Sequence, residues 1–361
     1  MRLKIITFIT TALLTLSATA QSTQKLTANK TNEYGLIYSL PTTALEITIV
    51  TEQVIKTPGA FYQYAKKYLN IDNPITEASE SVIIKSIVVN PKGVANADEH
   101  YLMQFKSGST PYLIINNESL PLAINTEDIS INNDIEIPTS TSLTASPLES
   151  DAALQVFNEE MLQSQSTAKR AELAAAQIYA LRQTRTDLIT GQADQMPADG
   201  QSMQLILDNI NAQEAALTAM FLGVEQRATN IKTIRYIPDA EIEDYIVARV
   251  SATDGVVDAN NLAGEPIYLT IEITEKGELP INERGEVKRF PKGGVAYRIP
   301  GKANIRLNYN GIEMLNEEFS IAQYGVVFGL DPSIFTNKKA PAYLIFEPTT
   351  GAIKELGTIN Q

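Results

Sequence analysis

Alternation of apolar and polar positions predicts β-strands in two regions of the chain, before residue 137 and after residue 223. Over residues 45–51 the apolar side chains fall at every second position, a period typical of a half-buried strand. Further runs of this kind lie at 34–41, 81–90, 101–105, 112–116, 231–237, 245–251, 267–274, 296–299, 303–309, 318–322, 325–330 and 342–347. Asn310 and Gly311 separate two of these runs and predict a tight β-hairpin, because both residue types tolerate positive φ.

Helical spacing of apolar positions predicts a long hairpin between the two strand-rich regions. Residues 146–149 match a capping box with proline at the first helical position, and apolar residues then recur every three or four positions up to Ile189. This pattern predicts one helix of about 40 residues, roughly 60 Å long. A loop with glycine and proline follows over 191–200, and a second helix is predicted over 201–222. Because the loop is short, the two helices must lie antiparallel.

The predicted fold class is therefore α+β, with two mainly antiparallel β domains joined by the helical hairpin. The N-terminal α+β domain covers 33–145, the hairpin 146–224, and a sandwich- or barrel-like C-terminal β domain 225–361. A short amphipathic helix docks on the N-terminal sheet through Phe61, Tyr64, Ala65, Tyr68 and Leu69. The first predicted helix of the hairpin exceeds its partner in length, so its first turns must pack on a β domain or on another protein.

The first twenty residues predict export from the cytoplasm. They combine a basic start at 1–4, an apolar run over 5–16, and small residues at the −3 and −1 positions before Gln21. This is the pattern of a secretory signal peptide, and the run is shorter than the ~20 apolar residues of an ordinary transmembrane helix. We expect a mature chain that begins near Gln21, a mobile lead-in over 21–32, and no integral membrane span.

The amino-acid composition excludes several classes of ligand, metal site and catalytic nucleophile. The 361 residues carry a net charge of −13, and an acidic surface repels nucleic-acid phosphates and anionic lipid headgroups. The absence of cysteine excludes disulfides, thiolate nucleophiles, cysteine-ligated metals and a lipid anchor on an N-terminal cysteine. The single histidine, His100, lies in a polar stretch that enters a predicted strand, where we expect a surface or loop-edge residue. One histidine excludes a multi-histidine metal site, and no G-x-S-x-G nucleophile motif accompanies it.

One loop offers a candidate calcium site. Asp254, Asp258 and Asn260 crowd into a segment that contains glycine, and carboxylate and amide oxygens are the ligands that calcium prefers. The segment lacks the spacing of an EF-hand, so an ordinary turn is the competing interpretation. The sequence predicts no other metal site, no catalytic residues and no cofactor.

Three further patterns have simpler explanations. Ser166 and Lys169 match S-x-x-K without the companion motifs of penicillin-recognising enzymes, and we expect them on a solvated face in the middle of a helix. Lys302 follows glycines as in a P-loop, but Ala303 replaces the Ser or Thr that would hold magnesium. An acidic run is expected to be a solvated turn, because a hydrolase needs two carboxylates at a fixed separation in a cleft. This run contains Asp239, Glu241, Glu243 and Asp244.

Several segments resemble a known family. They are residues 34–41; Pro58-Gly59 with Phe61, Tyr64 and Ala65; Gln177-Ile178-Tyr179 with Arg182 and Arg185; residues 213–221; Tyr297-Arg298-Ile299-Pro300; and residues 323–327. Together they resemble the secreted family catalogued as domain of unknown function 4831, found in Gram-negative bacteria, over nearly the whole mature chain. The resemblance implies an envelope protein, in the periplasm or on the outer surface. It implies no activity and no site residues.

These observations favour a non-catalytic envelope protein that acts through protein–protein contact. The expected partner is another envelope protein or a second copy of the chain, bound through the helical hairpin. An alternative is a binding protein for a glycan or a peptidoglycan fragment, suggested by fifteen tyrosines in an exported chain. A third possibility is a carboxylate-based hydrolase, which would require two facing acids in a deep pocket.

Overall fold

The computed structural model describes residues 23–25, 36–103, 111–129, 138–337 and 339–359. Within these ranges the protein is an α+β fold built from three antiparallel sheets and a helical hairpin. The predicted signal peptide lies outside the described residues, as does most of the predicted lead-in. None of the helices in these ranges has the length and hydropathy needed to span a membrane.

The first sheet is dominated by two very long strands. It contains β1 (Thr23–Lys25), β2 (Leu36–Thr57), β3 (Ser79–Met103) and β6 (Val224–Tyr236), in the order β1-β3-β2-β6. Strands β2 and β3 pair from one end to the other, from Leu36 opposite Met103 to Lys56 opposite Ser79. These two strands have 22 and 25 residues and are the longest strands of the described structure.

The second sheet is formed by five consecutive strands. These are β7 (Ile242–Ser251), β8 (Gly255–Asp258), β9 (Glu265–Glu275), β10 (Val295–Tyr309) and β11 (Ile312–Leu330), in the order β11-β10-β9-β7-β8. The predicted hairpin at Asn310 and Gly311 is confirmed. These residues join β10 to β11 with φ values of 50° and 75°, as a two-residue turn with positive φ at both positions requires.

The third sheet is small and combines both ends of the chain. It contains β4 (Leu113–Ile115), β5 (Pro121–Ile124), β12 (Ala342–Phe346) and β13 (Ile353–Thr358), in the order β13-β12-β5-β4. Leu344 of β12 lies opposite Ile124 of β5, which is more than two hundred residues earlier in the chain. Two of the three sheets therefore contain strands from both sides of the hairpin, since β6 also pairs with β2.

This pairing does not confirm the predicted arrangement of two separate β domains. The predicted runs lie mostly within observed strands, although β1, β5, β8 and β13 were not predicted. Alternation identifies the buried face of a strand and not its partner. Long-range hydrogen bonding between segments 33–145 and 225–361 instead joins them into shared sheets.

Two apolar cores lie between the sheets. In the first, alternate residues of β2 such as Ile47 face Leu269 of β9 and Ile305 of β10, all fully buried. The second includes Tyr38 of β2 and packs β2 and β10 against the third sheet. The Tyr38 hydroxyl donates to the carbonyl of Ala296 at 3.1 Å and accepts from the Ala296 N–H at 2.9 Å, which fixes the start of β10 against the start of β2.

The helical region differs from the prediction at its start. The helices are α1 (Ala65–Leu69), α2 (Asp151–Gln155), α3 (Glu159–Gln163), α4 (Thr167–Thr190) and α5 (Gly200–Leu222), with short 3₁₀ turns at Tyr62–Tyr64, Pro147–Glu149 and Pro332–Thr336. The predicted single helix of about 40 residues is therefore wrong. The predicted second helix is confirmed within one residue.

Side-chain caps explain the interruptions of the first helix. The hydroxyls of Ser150 and Ser166 and the amide oxygen of Asn158 each accept a backbone N–H three residues later, so each residue begins a new helix. The apolar spacing continues across these breaks because α2 and α3 pack on the same apolar cluster as α4. Helices α4 and α5 have 24 and 23 residues, so the predicted difference in their lengths is also wrong.

Candidate functional site

The helical hairpin has a well-packed base. Small residues of α4, such as Ala171 and Ala175, allow a close approach to α5, whose Leu217 and Phe221 are fully buried. The capped segment before α4 adds Val156, Met161 and other side chains to this cluster, as do residues of the turn after β2. The apolar stripe at the start of the predicted long helix is therefore covered by the protein's own chain.

Three charged residues, Arg182, Arg185 and Glu214, link α4 to α5 beyond the hairpin base, and we call them the charged clamp. Glu214 of α5 accepts hydrogen bonds from Arg182 Nε and Arg185 Nη1 of α4, both at 2.6 Å. Arg185 Nη1 also donates to Asn211 Oδ1 at 3.1 Å. The Glu214 side chain is only 13% exposed, so these charge-assisted bonds hold the two helices in register next to the apolar base.

Beyond the clamp lies an exposed apolar surface, which we call the hairpin tip (residues 186–211). Leu188 and Ile210 are its buried apolar residues. Four large apolar side chains are instead exposed, with accessible fractions of 39% to 66%. They are Ile189, Met196, Leu205 and Ile206. A two-helix element needs only one shared seam, so a large part of each of these side chains stays outside it.

The hairpin tip is also acidic. It carries Asp187, Asp194, Asp199 and Asp208, and its sequence contains neither lysine nor arginine. Among the described residues no cation pairs with these carboxylates; three of them accept hydrogen bonds from neutral donors within the tip or the adjoining turn of α4. The N–H of Ser202 lowers the pKa of Asp199, the residue that caps α5.

The structure does not bring the candidate calcium ligands together. Asp254 lies in the turn before β8 and accepts a hydrogen bond from Ser251, whereas Asp258 ends β8. Strand β8, which separates the two carboxylates, spans roughly 10 Å from Gly255 to Asp258, and Asn260 lies in the loop beyond. In the described parts of the chain no group of three or more His, Cys, Asp or Glu residues could hold a metal ion.

The remaining sequence motifs occupy structural positions. Ser166 caps α4 and so lies at a helix start, not in mid-helix as predicted, while Lys169 Nζ pairs with Glu172 at 3.0 Å. Lys302 lies within β10 and pairs with Glu275 at 3.0 Å. In the acidic run, Glu241 accepts a hydrogen bond from the backbone of Ile273 and borders an open groove of about 470 Å³ on the second sheet.

His100 lies within β3, not at a loop edge, and it is half-buried. Its Nδ1 lies 2.6 Å from the hydroxyl oxygen of Ser39, the residue opposite it on β2. Ser39 is only 1% exposed, so the hydroxyl cannot reach a substrate in solution. The pair is a cross-strand contact within the first sheet.

Sequence reasoning missed a buried ion pair next to this histidine. Glu99 of β3 pairs with Arg298 of β10, whose side chain is 7% exposed and whose Nη1 also donates to the carbonyl of Ala322. Burial, together with the nearby Glu99 charge, raises the pKa of Tyr101 to about 12. Nothing in the sequence signals this pair, because its members lie 199 positions apart.

A polar groove of about 540 Å³ lies where the middle of β2 and β3 meets the β4–β5 and β12–β13 turns of the third sheet. Side chains of Asn90, Lys92, Asn116 and Glu118 contribute to its wall, and its lining contains no aromatic ring. Sugar-binding sites commonly stack the ligand on such a ring. The groove therefore offers hydrogen-bonding groups without a stacking platform.

Comparison with known proteins assigns the chain to a family. The sequence profile described as Domain of unknown function (DUF4831) matches residues 34–354. The protein belongs to this family. The matched range includes the hairpin and at least part of every sheet, which confirms the resemblance found in the sequence. No curated protein and no solved structure matches the chain.

Proposed function

We propose that this member of the DUF4831 family is a non-catalytic protein-interaction module of the cell envelope, and that the hairpin tip is its contact surface. The exposed apolar residues of the tip are the observation that carries the proposal. The chain buries an apolar cluster at the hairpin base, whereas four large apolar side chains of the tip remain exposed. Several large apolar side chains exposed on one folded element are typical of a binding site.

The architecture of the hairpin supports this role. Its base is anchored in a buried cluster and its clamp fixes the two helices, so the tip is presented on a preorganised support. A preformed surface loses little conformational freedom when it binds, which favours affinity. Export to the envelope is proposed from the signal-peptide pattern and the family resemblance alone.

A photo-crosslinking experiment in cells tests this proposal. A natively expressed, tagged chain would carry a photo-reactive amino acid in place of Gln201, an exposed residue at the start of α5. We expect reproducible crosslinks to a protein in the envelope fraction. Replacing Leu205 and Ile206 with serine should abolish them, because the apolar contact area is lost.

The matched control is Leu262→Ser, because Leu262 is 83% exposed and lies far along the chain from the tip. This variant should retain every crosslink. If the photo-reactive tip captures no protein, or if the double serine variant is captured as efficiently as the original chain, the tip is not the contact surface. The polar groove would then be tested next with cell-wall and surface glycans.

A further inference from the structure

A second exposed surface is opposite in charge to the hairpin tip. The connection between β9 and β10, which we call the basic loop (residues 276–292), contains five lysine or arginine and three glutamate residues in a chain of net charge −13. The five cations are Lys276, Arg284, Lys288, Arg289 and Lys292. All are exposed, and none forms an ion pair with another described residue.

The basic loop is a folded element. Asn282 Oδ1 accepts the N–H groups of Arg284 and Glu286, and Gly285 supplies the positive φ of the turn. Ile281 then pairs with Val287, and the Lys288 N–H donates to the carbonyl of Pro280. The loop is therefore a small preformed hairpin, which would lose little freedom on binding.

Apolar side chains surround the cations of the basic loop. Ile281 and Val287 are 64% and 57% exposed, and Leu279 and Phe290 are also exposed. The loop thus combines apolar area with unpaired positive charge, whereas the hairpin tip combines apolar area with unpaired negative charge. Such a pair of surfaces is complementary in both hydropathy and sign.

The basic loop and the base of the hairpin lie at opposite ends of β2. The basic loop leads directly into β10, which the Tyr38 hydroxyl fixes to the start of β2 through Ala296. The hairpin returns to the sheet at Val224, which lies opposite Thr57 at the other end of β2. At about 3.3 Å per residue, the strand from Tyr38 to Thr57 spans up to roughly 60 Å. Both surfaces are exposed in the single chain, so a contact between them requires a second copy.

From this geometry we propose that the hairpin tip of one copy docks on the basic loop of a second copy, head to tail. The inference rests on the proposed role of the tip as a protein-contact surface and names the partner as the same chain. Because the two patches differ, the contact is heterologous and can repeat, giving a ring or an open filament. Exposed charges contribute to it, so added salt should weaken the association.

Sedimentation of the purified mature chain over a range of concentrations tests the proposal. We expect species larger than the monomer that diminish as salt is raised. A tip variant, Leu205→Ser with Ile206→Ser, should be monomeric. A loop variant, Lys288→Glu with Arg289→Glu, should also be monomeric, because like charges would face each other across the contact.

Mixing the two monomeric variants gives the sharpest test. The tip variant retains an intact loop and the loop variant an intact tip, so the mixture should form a dimer and nothing larger. A symmetric contact between two tips would instead leave the loop variant associated with itself, with or without the tip variant, and would overturn the proposal. The control for charge is Lys232→Glu with Lys339→Glu, two exposed lysines elsewhere, which should associate like the original chain.

The crosslinks from position 201 separate this inference from the proposed function. Crosslinked peptides from the basic loop of another copy support both. Crosslinks to a different envelope protein alone leave the proposed function standing and overturn the head-to-tail contact, as does a chain that stays monomeric at every concentration. The absence of any captured protein overturns both.

Discussion

At the scale of single residues, the polar side chains that resemble catalytic or metal-binding motifs serve local structure. Ser166 begins a helix, Asp254 closes a turn with Ser251, and His100 contacts a buried serine across a strand pair. Residue types and spacings can identify candidate groups, but a catalytic or metal-binding role requires that their side chains lie close together in the folded protein. The cap at Ser146 could be predicted because its partner lies two residues away, whereas the ion pair of Glu99 with Arg298 could not.

Burial of Tyr101 predicts a loss of stability at alkaline pH. Its folded-state pKa is about 12, above the model-compound value of 10.0, so folding favours the neutral phenol. The contribution of the neutral Tyr101 to the free energy of unfolding is fully present below about pH 10 and is lost as the pH rises towards 12. We expect the free energy of unfolding of Tyr101→Phe, measured with urea at several pH values, to decrease less steeply over this interval than that of the original chain.

Tyr112→Phe is the control for this measurement, because the Tyr112 side chain is 43% exposed. It should follow the alkaline profile of the original chain. Part of the decrease should persist in Tyr101→Phe, since burial also raises the pKa of Tyr38 and that of Tyr324. If the Tyr101→Phe profile coincides with that of the original chain, ionisation of Tyr101 is not coupled to unfolding.

At the scale of elements, the sequence predicted both helical arms of the hairpin but not the breaks that divide the first arm. The 3-4 apolar spacing identified both arms of the hairpin, and glycine with proline marked the loop between them. The same spacing could not show that Ser150, Asn158 and Ser166 divide the first arm, because serine and asparagine also occur inside helices. Packing decided the outcome, since the divided segment buries Val156 and Met161 in the cluster at the hairpin base.

A close backbone crossing fixes the hairpin base to the first sheet. A Cβ atom on Gly59 would lie less than 3 Å from the carbonyl groups of Ala219 and Met220 near the end of α5. The Phe61 N–H also donates to the Met220 carbonyl at 2.7 Å. We expect Gly59→Ala to lower the free energy of unfolding by about 1–3 kcal/mol, because α5 must move away from the turn.

Gly200→Ala is the matched control in the same helix. A Cβ atom there would meet nothing within 4 Å, and alanine is the better helix former. Chemical denaturation should give this variant a stability equal to or slightly above that of the original chain. Equal stability of Gly59→Ala and Gly200→Ala would show that the crossing tolerates a side chain.

At the scale of the whole molecule, sheet sharing joins segments that are distant in sequence. Strand β6 is paired with β2 over its whole length, and β12 is paired with β5. Neither β-rich segment contains all the partners of its own strands. An isolated segment would expose strand edges and apolar faces that the other segment covers in the complete chain.

We therefore expect residues 225–361, expressed alone, to lack cooperative unfolding, and likewise residues 33–145. The complete mature chain should unfold in one transition, since a break in either shared sheet exposes both cores. Circular dichroism during thermal denaturation distinguishes these outcomes. A cooperative transition in either isolated segment would show that the shared strands are dispensable for its folding.

The sequence by itself determined the α+β class, the alternating strands, both arms of the hairpin, the β10–β11 turn and the family. Each of these follows from neighbours within a few residues, where spacing and turn chemistry act. Only the tertiary structure decided which strands share a sheet, where the first arm is divided, and which apolar residues of the hairpin remain exposed. These outcomes depend on contacts between residues far apart in the chain, and their free energies are set by packing and burial that no local pattern records.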